Sequence, residues 1–142
     1  MSLQEFCQRR VVTISPTSSV VDACQLMADN NIGCMVVQEN SRLCGILTDR
    51  DIALKVAGKT KDSRQTRVGE VMTSNPACIS VDKNLHDLTR FMHTNHVRRV
   101  PIVDGGNKVL GIVTLDDLIA MLSSEIFEIG KTVSETVPIG TA

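Results

Sequence analysis

The chain has 142 residues, 42% of them apolar and 22% charged, which is enough to bury a sizeable core and excludes wholesale disorder. A net charge of −1 supplies no field for a polyanion, and the absence of Trp and Tyr removes the usual stacking platforms, so nucleic acid is not an expected partner. Five cysteines form no C-x-x-C pair, which argues against a disulfide framework and for a reducing, cytoplasmic compartment in which they pack as small hydrophobes.

Residues 1–10 alternate polar and apolar side chains without the apolar centre of a signal peptide, and no run approaches ~20 apolar residues, so neither secretion nor membrane insertion is expected. Leu3-Gln4-Glu5-Phe6-Cys7 reads as a one-turn lead-in helix, and a short strand follows over 11–14. Ser15-Pro16-Thr17-Ser18-Ser19 then supplies turn and N-cap chemistry. Val20, Val21, Cys24, Met27 and Ala28 recur at helical spacing as far as Asn30-Asn31. A hairpin comes next, 34–37 with 43–47, about an Asn40-Ser41 turn. Gly45-Ile46-Leu47-Thr48-Asp49-Arg50-Asp51 passes from that strand into a second helix. A polar linker occupies 59–67.

The second half repeats the first at one constant offset. Val68-Gly69-Glu70-Val71-Met72 aligns with the lead-in, Ile79-Ser80 with Ile14-Ser15, Asp87 with Asp22, and Phe91-Met92 with Leu26-Met27. One extra residue falls in the turn Asp104-Gly105-Gly106-Asn107-Lys108, where insertion is tolerated. Gly111-Ile112-Val113-Thr114-Leu115-Asp116-Asp117 then restates the strand-to-helix stretch as G-I-x-T-x-x-D. The division is therefore 1–58 for the first repeat and its lead-in, and 68–130 for the second repeat, whose last helix extends along Ile119, Leu122, Ile126 and Ile129. A loose tail is expected over 131–142. Each repeat reads β-α-β-β-α and leaves an apolar sheet face uncovered. The expected fold is therefore α+β, two repeats packed with pseudo-twofold symmetry, sheets face to face and helices outside.

A helix start offers unpaired N–H groups and a partial positive charge that suit a phosphate, and an aspartate there can accept hydrogen bonds from both hydroxyls of a ribose. Thr48 with Asp51, and Thr114 with Asp117, are the candidate pairs. The same spacing is a near capping box, in which threonine and acid satisfy each other's amides, although such a box prefers Glu or Gln in the fourth place. His93 and His96 lie three apart, but no carboxylate or cysteine completes a ligand set, so no metal is expected. With neither a G-x-S-x-G elbow nor a Walker loop, nothing points to an enzyme.

Together, Val68-Gly69-Glu70-Val71-Met72-Thr73, Arg98-Arg99-Val100-Pro101-Ile102-Val103-Asp104 and the two G-I-x-T-x-x-D stretches resemble a pair of cystathionine-β-synthase (CBS) domains, a Bateman module, over nearly the whole length. The resemblance implies a cytoplasmic, non-catalytic sensor of an adenosine-containing ligand (AMP, ADP, ATP or S-adenosylmethionine). It implies no required cofactor, a disc-shaped homodimer, and a regulated protein that is a separate molecule. By the same resemblance one cleft has Thr48 and Asp51 with Thr13, Ile14, Met35, Val36 and Val37. The other has Thr114 and Asp117 with Cys78, Ile79, Val100 and Pro101, while Arg98 and Arg99 reach phosphates. The first repeat has Gly33-Cys34 where the second has Arg98-Arg99, so its pocket is less cationic, with Arg50 as partial compensation. The competing reading is a structural or protein-interaction dimerisation module with no nucleotide. A third is redox regulation through Cys7 or Cys78.

Overall fold

The computed structural model describes residues 2–7 and 11–136. In the first half, α1 (Gln4–Cys7), β1 (Thr13–Ile14), α2 (Val20–Asn30), β2 (Cys34–Glu39), β3 (Arg42–Thr48) and α3 (Asp49–Lys55) follow one another. A 3-10 turn, Ala57–Lys59, leads into the linker. The second half has α4 (Val68–Val71), β4 (Thr73–Ser74), β5 (Ile79–Ser80), α5 (Leu85–Asn95), β6 (Arg99–Val103), β7 (Val109–Thr114) and α6 (Leu115–Thr136). The architecture is α+β, with the two sheets ordered β1-β2-β3-β4 and β5-β6-β7.

The repeat extends to fine detail. β1 pairs parallel with β2 through Ile14 and Val37, and β5 with β6 through Ile79 and Ile102. Both hairpins carry an irregularity at the same place, Val37/Gln38 and Ile102/Val103. Helices α2 and α5 both start on a side-chain cap, Ser19 or Asn84, that accepts from the amide three residues on. Both end on a left-handed residue, Asn31 (φ 51°) or His96 (φ 52°), which turns the chain so that its amide reaches the last carbonyls. In the first hairpin Asn40 and Ser41 both take positive φ, the two-residue turn that matches strand twist.

Two cores result, and each is closed by a piece of the other repeat. Ile14, Val20, Ala23, Met27, Met35, Val37 and Leu47 form the first, completed by Val68 and Val71 of α4. Ile79, Leu88, Met92, Val100, Ile102, Val113 and Leu118 form the second, completed by Phe6 of α1 and Leu3 just before it. The lead-in helices are thus exchanged, where the sequence assigned each to the repeat it precedes. The glycine that opens each G-I-x-T-x-x-D stretch marks the crossing. A Cβ at Gly111 would come within 2.7 Å of the Phe6 carbonyl, and one at Gly45 would collide with the Met72 thioether and meet the Thr73 carbonyl at 3.0 Å.

Between the sheets, Val36, Leu43 and Val103 form a third cluster with Val11, Cys78, Val109 and Ile112. The hairpins also join edge to edge, since the Leu43 amide donates to the Asn107 carbonyl (3.1 Å) and the Asn107 side-chain amide to the Leu43 carbonyl (3.2 Å). The linker is tied down as well: the amides of Val20 and Val21 donate to the carbonyls of Thr66 and Ser63.

The last helix departs from expectation. It continues through Gly130 to Thr136, where the sequence placed the end near 130 and a tail from 131. A single interior glycine costs a helix about 1 kcal/mol, too little to stop it without a left-handed cap. Residues 137–142 of the expected tail lie outside the described residues.

Candidate functional site

Both T-x-x-D stretches lie at strand-to-helix junctions, where β-branched strand residues give way to Ile52-Ala53-Leu54 or Leu118-Ile119-Ala120. At the first, Thr48 Oγ1 accepts from the Asp51 amide (3.1 Å) and Asp51 Oδ2 accepts from the Thr48 amide (3.0 Å). The second has the same reciprocal bonds between Thr114 and Asp117, at 3.1 and 3.2 Å. The capping box is real in both copies. Asp51 Oδ1 also pairs with Lys55 Nζ at 3.0 Å, and that ammonium donates to the Val71 carbonyl at 2.9 Å. A carboxylate has about four acceptor positions, so these contacts leave room for further donors.

Beside the first junction a cavity of about 210 Å³ opens between the repeats. Ile46 and Thr48 form one wall, and Pro76, Ala77, Val97, Arg98 and Arg99 of the second repeat the other. Beside the second junction a cavity of about 180 Å³ is lined by Thr114, Leu115 and Asp116, again with Arg98 and Arg99. The two arginines thus border both junctions. Arg98 and Asp116 approach only to 3.9 Å with both side chains largely exposed, too loose a pair to hold the guanidinium. Arg99 faces Thr114 across the β6–β7 ladder, and Cys34 faces Thr48 in the matching place of β2–β3. Burial pushes the Cys34 thiol up to about 11, aided by Asp51 and Asp49 and opposed by Arg99, so that guanidinium lies within electrostatic reach of the first junction.

The remaining predicted residues divide by strand alternation. Met35, Val37, Ile14, Ile79 and Val100 turn their side chains into their own repeat's core, and only Val36 of the first strand triplet faces the other repeat. Pro101 is buried on β6. Thr13 accepts from the Gln38 side chain at 3.2 Å. Arg50 is exposed on the first turn of α3, outside both cavities. Cys78 lies in the inter-sheet cluster and borders a cavity of about 200 Å³ with Leu43, Asn75, Pro76 and Asn107. Sequence reasoning missed Thr73, Pro76 and Ala77, which reach the first junction because they follow α4, itself crossed to the first repeat, and Val97, which lies just past the left-handed end of α5. The available signal was the crowding glycine at 45. His93 and His96 stand with ring centroids 6.4 Å apart, and among the described residues no three His, Cys, Asp or Glu are grouped to hold a metal ion.

Residues 3–58 and 68–124 each match the CBS domain family. The chain is 39% identical over 117 residues to the CBS domain-containing protein YhcV of Bacillus subtilis, covering 82% of each. Some relatives are longer, the chain spanning 61% of one and 21% of another. Among solved structures, the CBS domain NE2398 is 33% identical with a TM-score of 0.76, covering 86% of this chain and 97% of that one. The CBS domain protein PAE2072 of Pyrobaculum aerophilum, complexed with AMP, has a TM-score of 0.74 over 83% of this chain and 90% of its own. At 20% identity that likeness is one of fold.

Proposed function

The chain belongs to the CBS domain family, and we propose that it is a regulatory module that binds an adenosine-containing ligand between its repeats and turns nothing over. The observation that carries this reading is the composition of the first cleft. Thr48 lines it from one repeat with Asp51 hydrogen-bonded to its amide just behind, Arg98 and Arg99 line it from the other, and Ile46, Pro76, Ala77 and Val97 leave an apolar slot between them. Such a slot takes a base, the carboxylate takes ribose hydroxyls, and the guanidiniums take phosphate. The Thr114–Asp117 corner is the second, smaller site. Gly33 and Cys34 stand where a symmetric partner would have arginines, so its cations come from its own repeat's Arg98 and Arg99. AMP, ADP, ATP and S-adenosylmethionine are the candidate ligands, a homodimer the expected assembly, and a separate protein the regulated target. Among the described residues no helix is long and apolar enough to cross a membrane.

Calorimetry tests the assignment. Asp51→Ala is expected to weaken the ligand at least tenfold, and unchanged affinity in both Asp51→Ala and Asp117→Ala would sink the ribose role. Arg99→Ala is expected to cost a phosphate-bearing ligand about 1.5–3 kcal/mol, the worth of a charged hydrogen bond, while leaving adenosine unaffected. Equal losses for AMP and adenosine would remove Arg99 from the phosphate.

A second reading rests on the completeness of both capping boxes. In it the aspartates serve only the helices, and the module docks a partner protein with its clefts empty. Thermal denaturation separates the two. A bound ligand raises the midpoint by mass action, and no shift with any of the four candidates favours docking.

A further inference from the structure

Two clefts face a single pair of cations. Arg98 and Arg99 border the cavity at the Thr48 junction and also the cavity at the Thr114 junction, and among the described residues no other Lys or Arg lines either one. The departure from symmetry explains the shortage. Gly33 and Cys34 hold the matching places of the first repeat, and Arg50 lies outside both cavities. Lys55 is already engaged by Asp51 and by the Val71 carbonyl.

Both guanidiniums can serve either side. Arg98 is 73% exposed and meets Asp116 only at 3.9 Å, which leaves it able to swing to the other cavity. Arg99 stands opposite Thr114 in the ladder of β6 and β7, yet its charge also acts on Cys34, the residue opposite Thr48. Asp116 makes the sharing costly, because it borders the second cavity and not the first. A phosphate in the first cavity that draws Arg98 across leaves the second with an acid and no cation beside it. Such a site repels a further phosphate.

We propose that the two clefts are antagonists for phosphorylated ligands: a phosphate in one takes both guanidiniums, and the other keeps its hold on a nucleoside but loses its preference for a nucleotide. The proposal rests on the adenosine reading of the clefts and adds a rule of occupancy to it. Two nucleotides compete for one chain, whereas a nucleotide and an uncharged nucleoside bind together. The coupling is reciprocal, so each cleft lowers the other's affinity for a nucleotide by the same factor.

Amide resonances over 48–51 and 114–117 read the two clefts separately while the full chain is titrated with AMP, and in a second series with adenosine. The cleft filled first is expected to bind AMP at least about tenfold more tightly than adenosine, and the cleft filled second no more tightly than adenosine. Comparing the two ligands at one cleft removes any difference in how well each slot takes a base. Disabling the cleft filled first, by Asp51→Ala or Asp117→Ala as the case requires, is expected to restore the AMP preference at the other. Should the variant misfold, the wild-type titrations decide alone. A preference for AMP at both clefts of wild type, or shifts at only one cleft with both ligands, overturns the proposal and leaves the cleft reading standing. No preference at either cleft overturns it by taking the arginines off the phosphate. No shift with either ligand removes the cleft reading and this proposal together.

Discussion

Asp51 has two duties, closing its helix and, on our reading, receiving a ribose, and the first is visible in its bonds. Thr114→Ala removes only a cap oxygen, so it is expected to cost about 1 kcal/mol of stability by urea titration. The two motif glycines allow a sharper comparison. A methyl at Gly111 meets the fixed Phe6 carbonyl, whereas at Gly45 the nearest atom is the flexible Met72 side chain. Gly111→Ala is therefore expected to destabilise by about 1–3 kcal/mol, and Gly45→Ala by less. Cys34 supplies a pH signature. Its folded-state value is raised, to about 11 from 9.0, so the folded protein keeps a proton that the unfolded chain has lost between those values. Stability is thus full below pH 9 and falls as pH rises toward 11, by about 2–3 kcal/mol in all, and Cys34→Ala should flatten that decline. At this scale the sequence already singled out both T-x-x-D pairs and both arginines. It left the apolar wall at 76, 77 and 97 unread, because those residues carry no chemistry of their own and matter only through where the tertiary path brings them.

The exchanged lead-in helices decide how the elements share stability. Phe6 is buried among Leu88, Val100 and Leu118, elements of the opposite repeat. Phe6→Ala is expected to cost about 3–5 kcal/mol, as for other buried aromatics, and to loosen hydrogen-exchange protection in β7 before β2. Loosening in β2 alone would contradict the exchange. The β-α-β-β-α elements of both repeats were legible from period and punctuation, since Asn31 and His96 stop their helices where the pattern stops. Strand β4 was not, two polar residues being too short a stretch to show alternation. The exchange was not legible. A four-residue helix with two apolar residues fits either core, and only the tertiary path says which one it fills. Nor was the end of α6, since its apolar spacing persists past Gly130 and a glycine is a weak stop without the backbone to cap it.

For the molecule as a whole, neither half has a finished core. Unfolding is accordingly expected as one transition, with far-ultraviolet circular dichroism and hydrodynamic radius changing together in urea, and two separated steps would contradict the interlock. The same interlock bears on how the protein is made. Translation releases α1 first, yet its seat against β7 and α6 is among the last structure to be synthesised, so the opening helix must wait while nearly the whole chain emerges. The first repeat likewise stays open until α4 is out and can turn back on it. Long loops must close before either contact is rewarded, which makes docking of the chain's opening segment a late and slow event. Until it docks, the second core has an uncovered patch in the shape of Leu3 and Phe6, and in a crowded ribosome queue the nearest segment of that shape belongs to the neighbouring nascent chain.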